Sequence, residues 1–374
     1  MSIGEDLEGF QLQLEIFRRK YLQMLDPNEI DFPMEWFIKL PATQQWIYDH
    51  MFNPEKIKTL PYPDYAFRIL KRLLYILEAA MKDPEEDEIS DDLANCFAQL
   101  LTRKAKDGLE LIQEKRPVTY TAPVLSGDPP TVTILEAPNL LTSNGDTGNR
   151  TWDAALFLAT FLSTDGRHFV QDKSILELGA GLGFVSVLCG KHLGARHVLV
   201  TDASEGVLYT AQQNARLNGI DDIVNTSVLE WGTQDVDRVY HNGDEAVSYD
   251  LLLGSDMLYQ PRDFPALMST LHDLFSHNPK LQMLISSAVR REETLDSFLH
   301  CCRKNFFHVE RVLIDPLPEK EQLGFFHSTF YEIHIYLITK QRRLMTNGRE
   351  FLDLMLGDHE DTGGPKTCVS ETSD

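Results

Sequence analysis

The sequence predicts an α/β protein, a mostly parallel twisted sheet with helices on both faces, preceded by an all-helical N-terminal region. Three observations carry this. From residue 174 onward, short apolar runs alternate with helical stretches. A glycine turn, Gly179-Ala180-Gly181-Leu182-Gly183, falls where the first of those runs hands over to its helix. Before residue 116, apolar side chains recur at helical spacing.

In chain order, Phe10, Leu14, Phe17, Tyr21 and Leu25 are three or four residues apart, and so are Phe67, Leu70, Leu74, Leu77 and Met81 behind Asp64, the expected N-cap. Each series puts an apolar stripe on one helix face, read as core packing. Pro33, Pro41, Pro54, Pro61 and Pro63 punctuate the stretch between them. The acidic run over 83–92 reads as a solvated loop, with Ser90 capping a further helix to about residue 113. Residues 1–116 are therefore expected to form a helical domain. A β-rich lead-in spans 117–150, where Val118-Thr119-Tyr120-Thr121 and Thr131-Val132-Thr133-Ile134-Leu135 flank a Gly-Pro turn as a hairpin or extended segment. The α/β domain is assigned to 151–345. Its strands are expected at 174–178, 197–201, 223–229, 249–254, 281–288, 309–314 and 333–339. Helices fall between them at 184–193, 205–217, 262–275 and 293–305. Strands apolar throughout are those covered by helices on both faces of a parallel sheet. Residues 357–374 read as a disordered acidic tail.

Composition narrows the function. The 374 residues carry 35 Lys+Arg against 57 Asp+Glu, a net charge of −22. Phosphate backbones are bound by clustered cations, so direct nucleic-acid binding is excluded and a basic protein partner is favoured. Acids near the N-terminus and the lack of a bilayer-length apolar run point to a cytoplasmic location with no membrane partner. Five cysteines are too few, and odd in number, for a disulfide framework. No metal is expected: His300-Cys301-Cys302 offers adjacent helical cysteines that diverge by about 100°. A monomer is expected.

The ligand of the glycine turn follows from its surroundings. Gly190-Lys191 is followed by His192, so a P-loop fails. A dinucleotide site prefers G-x-G-x-x-G, and here the third glycine comes one residue early. Glu177 stands two residues before the first glycine, and Asp202 ends the second strand. S-adenosylmethionine suits this pair: it has no phosphate, its sulfonium and α-ammonium favour a nearby carboxylate, and Asp202 is placed for ribose hydroxyls.

The runs Thr147-Gly148-Asn149-Arg150-Thr151-Trp152-Asp153-Ala154-Ala155, Ile175-Leu176-Glu177-Leu178-Gly179-Ala180-Gly181, Glu230-Trp231-Gly232 and Ser255-Asp256-Met257-Leu258-Tyr259 resemble methyltransferase family 16. That family belongs to the class I seven-strand, Rossmann-like methyltransferases. Within it the chain is most similar to the eukaryotic elongation factor 2 protein-lysine methyltransferases, over residues 118–340. The resemblance implies that Trp152, Gly179, Ala180, Gly181, Asp202, Trp231 and Ser255 line the cofactor site, with Trp231 packing on adenine and Trp152 walling the methionine end. It also implies that Asp256 and Tyr259 form an Asp-x-x-Tyr signature. Phe325-Phe326-His327 and Phe330-Tyr331 are either packed or part of the substrate-facing surface.

The implied chemistry is methyl transfer from S-adenosylmethionine to a lysine of elongation factor 2. A free lysine has a pKa of about 10.4, so it must be made neutral. A carboxylate beside it opposes that. Asp256 is therefore expected to orient the lysine and help proton removal through water, with Tyr259 shaping the channel. Two alternatives remain: another protein or small-molecule acceptor, and a cofactor-binding interaction module without turnover.

Overall fold

The computed structural model describes residues 3–83, 87–103, 114–124, 128–137, 148–233, 236–242 and 245–340. Residues Met1–Lys340 form one compact unit. The expected end of the third N-terminal helix, residues 125–127 of the turn between the two lead-in strands and the tail lie outside the described residues.

The N-terminal region is helical: α1 (Ile3–Leu22), α2 (Glu35–Ile38), α3 (Pro41–Ile47), α4 (Pro63–Ala80) and α5 (Asp91–Leu101). Phe17 and Tyr21 of α1 meet Tyr65, Ile69, Leu70 and Leu73 of α4 in a separate apolar core, with Tyr21 and Tyr65 stacked at 5.7 Å. Asp64 is not the cap of α4. Tyr62 holds that place in extended conformation and Pro63 occupies the first helical position, where its missing N–H costs nothing. α1 ends at Leu22, before Leu25, and Met24 follows at φ +57°.

Strands β1 (Arg116–Thr121) and β2 (Thr131–Glu136) pair antiparallel as a hairpin. The main sheet uses β3 (Ser174–Leu178), β4 (His197–Asp202), β5 (Val224–Val228), β8 (Leu251–Ser255), β9 (Gln282–Ala288), β10 (Phe307–Val312) and β11 (Ile333–Lys340). A two-residue pair, β6 (His241–Asn242) and β7 (Glu245–Ala246), stands apart. The sheet order is β10-β11-β9-β8-β3-β4-β5, parallel except for β11, which runs antiparallel to both neighbours. This is the class I seven-strand fold. Order reverses between β3 and β8, and such a switch point opens a crevice at the carboxyl ends of the strands.

Two apolar layers explain why the strands read as unbroken runs. Ile175, Leu251 and Leu253 point into one core. Leu176, Leu178 and Leu252 point into the other. The first layer is closed by α6 (Asp153–Ser163), α7 (Arg167–Val170), α8 (Phe184–His192) and α9 (Glu205–Leu217). The second is closed by α10 (Val236–Val239), α11 (Phe264–His277) and α12 (Glu292–Lys304). The sequence reading lacks α6, because its residues 154–159 are all buried and present no polar stripe.

The helical region joins the segments after β1 and before β11 through buried polar groups. Arg19 donates to the Leu323 carbonyl at 2.7 Å and to the Ala122 carbonyl at 3.4 Å. The Gln23 amide donates to the Phe326 carbonyl at 2.5 Å and accepts from the Phe326 N–H at 3.0 Å.

Candidate active site

The turn after β3 is built from three residues with positive φ: Gly179 at +57°, Gly181 at +56° and Gly183 at +77°. Such values are costly for any side chain with a Cβ. The turn is tied to the end of β4, because the Ala180 N–H donates to the Thr201 carbonyl at 2.9 Å and the Gly181 N–H to Asp202 Oδ2 at 3.1 Å. Asp202 Oδ1 accepts from the Ser204 N–H at 3.0 Å. Asp202 thus braces the turn and lines the cavity over it.

Glu177 ends only 1% exposed. Its Oε2 accepts from the Ser186 N–H at 3.0 Å and from the Ser186 hydroxyl, at the first turn of α8. Burial pushes its pKa up to about 7, against the lowering effect of Ser186, and the Asp202 charge adds to the rise. The carboxyl is therefore a helix anchor as well as a wall of the crevice.

Above these strand ends lies a cavity of about 1200 Å³. Trp152, Glu177, Gly179, Ala180, Gly181, Asp202, Trp231, Ser255, Asp256 and Tyr259 all line it. The structure brings together every site residue named from the sequence. Trp231 lies three residues past the end of β5, farther along the loop than expected, and a Cβ at Gly179 would come within 3.4 Å of its ring. Trp152 is held from below by the hairpin. The Thr151 N–H donates to Glu136 Oε2 at 2.6 Å, the Tyr120 hydroxyl to Glu136 Oε1, and the Ala137 N–H to the Asn149 carbonyl at 3.0 Å.

Asp256 adopts φ +53°, a left-handed conformation that aspartate tolerates better than most residues. Its N–H donates to the Ser286 carbonyl at 2.8 Å, fixing it to β9. Its carboxylate does not face the cavity alone. Arg290 Nη1 and Nη2 donate to Oδ1 and Oδ2 at 2.8 and 2.6 Å, a bidentate pair. The Asp256 side chain is 7% exposed, that of Arg290 38%, and Tyr259 is 50% exposed at the mouth. The guanidiniums of Arg150 and Arg290 lie 4.9 and 5.8 Å from the Trp152 ring centroid. The mouth thus holds cations beside its aromatics. Arg290, the partner of Asp256, is the residue at this end of the sheet that the sequence reading misses. Its place two residues beyond β9, at the same end of the sheet as the glycine turn, is the signal that could have found it.

The aromatic segment before β11 divides. Phe325 and Phe326 are buried, with Phe325 edge-on to Phe184 at 5.4 Å, whereas Phe330 and Tyr331 are exposed.

Residues 134–305 match a family model described as lysine methyltransferase. The chain is 36% identical over 323 residues to the protein-lysine N-methyltransferase EFM3 of Chaetomium thermophilum, covering 84% of this chain and 94% of that protein. It is 26% identical over 313 residues to the protein-lysine N-methyltransferase EEF2KMT of Homo sapiens, covering 79% and 88%. A shorter likeness, 36% over 157 residues, links it to the protein N-lysine methyltransferase METTL21A of Danio rerio, covering 41% of this chain and 66% of that one.

Proposed function

The chain belongs to the lysine methyltransferase family, and from that premise we propose that it methylates a lysine of translation elongation factor 2. It is a protein-lysine N-methyltransferase with S-adenosylmethionine as its cofactor. The acceptor protein is our reading. Its support is the likeness to EEF2KMT, which runs through 88% of that protein, together with the motif runs at Trp152, Glu177, Trp231 and Asp256. A cytoplasmic location and action as a monomer accompany this reading.

The observation that carries the mechanism is the single cavity over the strand ends, which exceeds the ~300–1,000 Å³ of ordinary ligand pockets and so has room for a cofactor and an acceptor side chain. Its residues fit S-adenosylmethionine. Gly179 and Gly181, both at positive φ, line the cavity with bare backbone that a ligand can approach. In our reading Gly179, Ala180 and Gly181 receive the cofactor backbone, and Asp202 accepts from its ribose hydroxyls. Glu177 favours its cationic end, and Trp152, Trp231 and Ser255 complete the walls. When bound, the cofactor supplies a methyl group already activated on a sulfonium. What remains for the protein is alignment of the acceptor and exclusion of water. Asp256 orients the lysine nitrogen and helps its proton leave through water, and Tyr259 shapes the entry.

The test is transfer of tritiated methyl from S-adenosylmethionine to purified elongation factor 2 and to lysate of cells lacking this protein. One labelled band, elongation factor 2 with a mapped lysine, is expected. Label on a different protein would overturn the acceptor, and no protein label despite cofactor binding would overturn protein methylation by this site.

A further inference from the structure

A carboxylate facing a lysine nitrogen presents a conflict. It orients the nitrogen by accepting a hydrogen bond, yet its charge stabilises the unreactive ammonium, because an opposite charge within about 4–6 Å raises a lysine pKa by about one to three units. The bidentate pair resolves this conflict. Two parallel hydrogen bonds, 2.8 and 2.6 Å, occupy one lone pair on each Asp256 oxygen and balance the charge. The other lone pairs remain available as acceptors.

Both partners are set by neighbouring strands. Asp256 follows the end of β8 and is fixed to Ser286, while the Arg290 N–H donates to the Ala288 carbonyl at 3.0 Å just past β9. The pairing also favours the charged guanidinium, whose pKa is raised mainly by its hydrogen bonds to Asp256, despite burial. Other titratable and charged groups surround it. Asp153 at the start of α6 and Tyr331 ahead of β11 act on Arg290. Arg150 shares the Trp152 ring, and Lys115, Glu177, Asp202, Glu230, Tyr259 and Asp263 line the cavity together with Asp256. Asp256 is the one of these that Arg290 grips in a fork.

Resting on the reading of Asp256 as the acceptor-facing carboxylate, we propose that Arg290 is a positioning residue for methyl transfer: it holds that carboxylate in place as a hydrogen-bond acceptor and cancels the charge that would keep the incoming lysine protonated. Lysine cannot replace it fully, since an ammonium supplies the charge without the planar fork.

The experiment measures single-turnover methyl transfer to the protein acceptor across about pH 6.5 to 9.5, with KM and cofactor Kd, for the full chain and four variants. Arg290→Met removes the charge and keeps the bulk. Its rate profile should move to higher pH by about one unit, so transfer near pH 7 falls about tenfold or more and recovers in alkali only to the lower plateau that loss of the fork leaves. Its KM should not rise, and its cofactor Kd should stay unchanged. Arg290→Lys should keep the wild-type midpoint with a lower rate at every pH. The double variant Asp256→Asn, Arg290→Met should return the midpoint to near the wild-type value, because neither charge remains. An unshifted midpoint in Arg290→Met, or a double variant shifted as far as Arg290→Met, overturns the proposal. Should Arg290→Met fail to fold, Arg290→Gln removes the charge in its place and is read by the same midpoint. Asp256→Asn alone separates the premise: wild-type rate and profile there would remove the acceptor-facing role of Asp256, whereas impaired transfer beside an unshifted Arg290→Met profile would remove only the role of Arg290.

Discussion

Glu177 combines two tasks that pull its proton in opposite directions. Buried against the first turn of α8, with a pKa near 7, it binds a proton in the folded chain at pH values where the unfolded chain, near 4.5, has lost it. Folding stability from this group is thus fully present below about pH 4.5, declines as pH rises toward 7, and is lost above. A cationic ligand reverses the balance by favouring the carboxylate. Binding of S-adenosylmethionine near pH 7 should therefore release a fraction of a proton, and affinity should strengthen from about pH 6 to about pH 8. Calorimetry in two buffers of different ionisation enthalpy reads that release directly. Glu177→Gln should bind more weakly with no proton release, yet melt no lower than wild type at pH 8, where the buried charge is gone. Equal proton release by the variant would assign the proton to another group. The role of Glu177 as a cavity wall was legible from its spacing to Gly179. Its bond to Ser186 was not, because nothing in the spacing tells which neighbour a strand-end carboxylate will choose.

The glycine turn shows how far an element can be read, and where a reading stops. Its placement between strand and helix was legible because a buried parallel strand is apolar on both faces, so 174–178 stands out as a run and the glycines mark its end. The same logic failed for α6, whose all-round burial erases the helical period, and for the α4 cap, where Pro63 overrode Asp64. Within the turn, the three glycines are not equivalent. At Gly183 a methyl would meet Ala211 and Val200 at ordinary distances of 3.5 and 3.6 Å, so only its φ of +77° resists substitution. Gly183→Ala should cost about 1–2 kcal/mol of stability and leave cofactor affinity near wild type. Gly181→Ala bears a similar backbone cost, and its methyl also finds ordinary contact, 3.4 Å from the Gly148 carbonyl oxygen, but Gly181, unlike Gly183, lines the cavity. Its cofactor affinity should fall at least tenfold for a comparable loss in melting temperature. Thermal melts and cofactor titration on the two variants separate strain from occlusion, and equal affinities would reject the placement of Gly181 against the ligand.

At the scale of the whole molecule, the joint between the helical region and the segments after β1 and before β11 rests on Arg19 and Gln23, buried polar residues whose partners lie about one hundred and three hundred positions away. No local pattern announces such a joint, since amphipathic spacing tells which face is buried but not against what. Net charge is the opposite case, fully legible yet silent on its use. The −22 surplus is global, whereas at the mouth the nearest carboxylate is balanced by Arg290. Its natural action is therefore at long range, drawing a basic protein surface toward the cavity, rather than on the reacting nitrogen. Long-range attraction is screened by salt, with a Debye length of about 10 Å at 0.1 M, while a partly buried pair at contact distance is screened far less. Raising NaCl from about 50 to about 300 mM should then increase KM for the protein acceptor several-fold and change kcat by less than about twofold. A short peptide bearing the acceptor lysine without the basic surface should show a flatter KM. A fall in kcat with KM unchanged would mean that salt acts on the Arg290–Asp256 pair, and the surplus charge would then have no part in substrate capture.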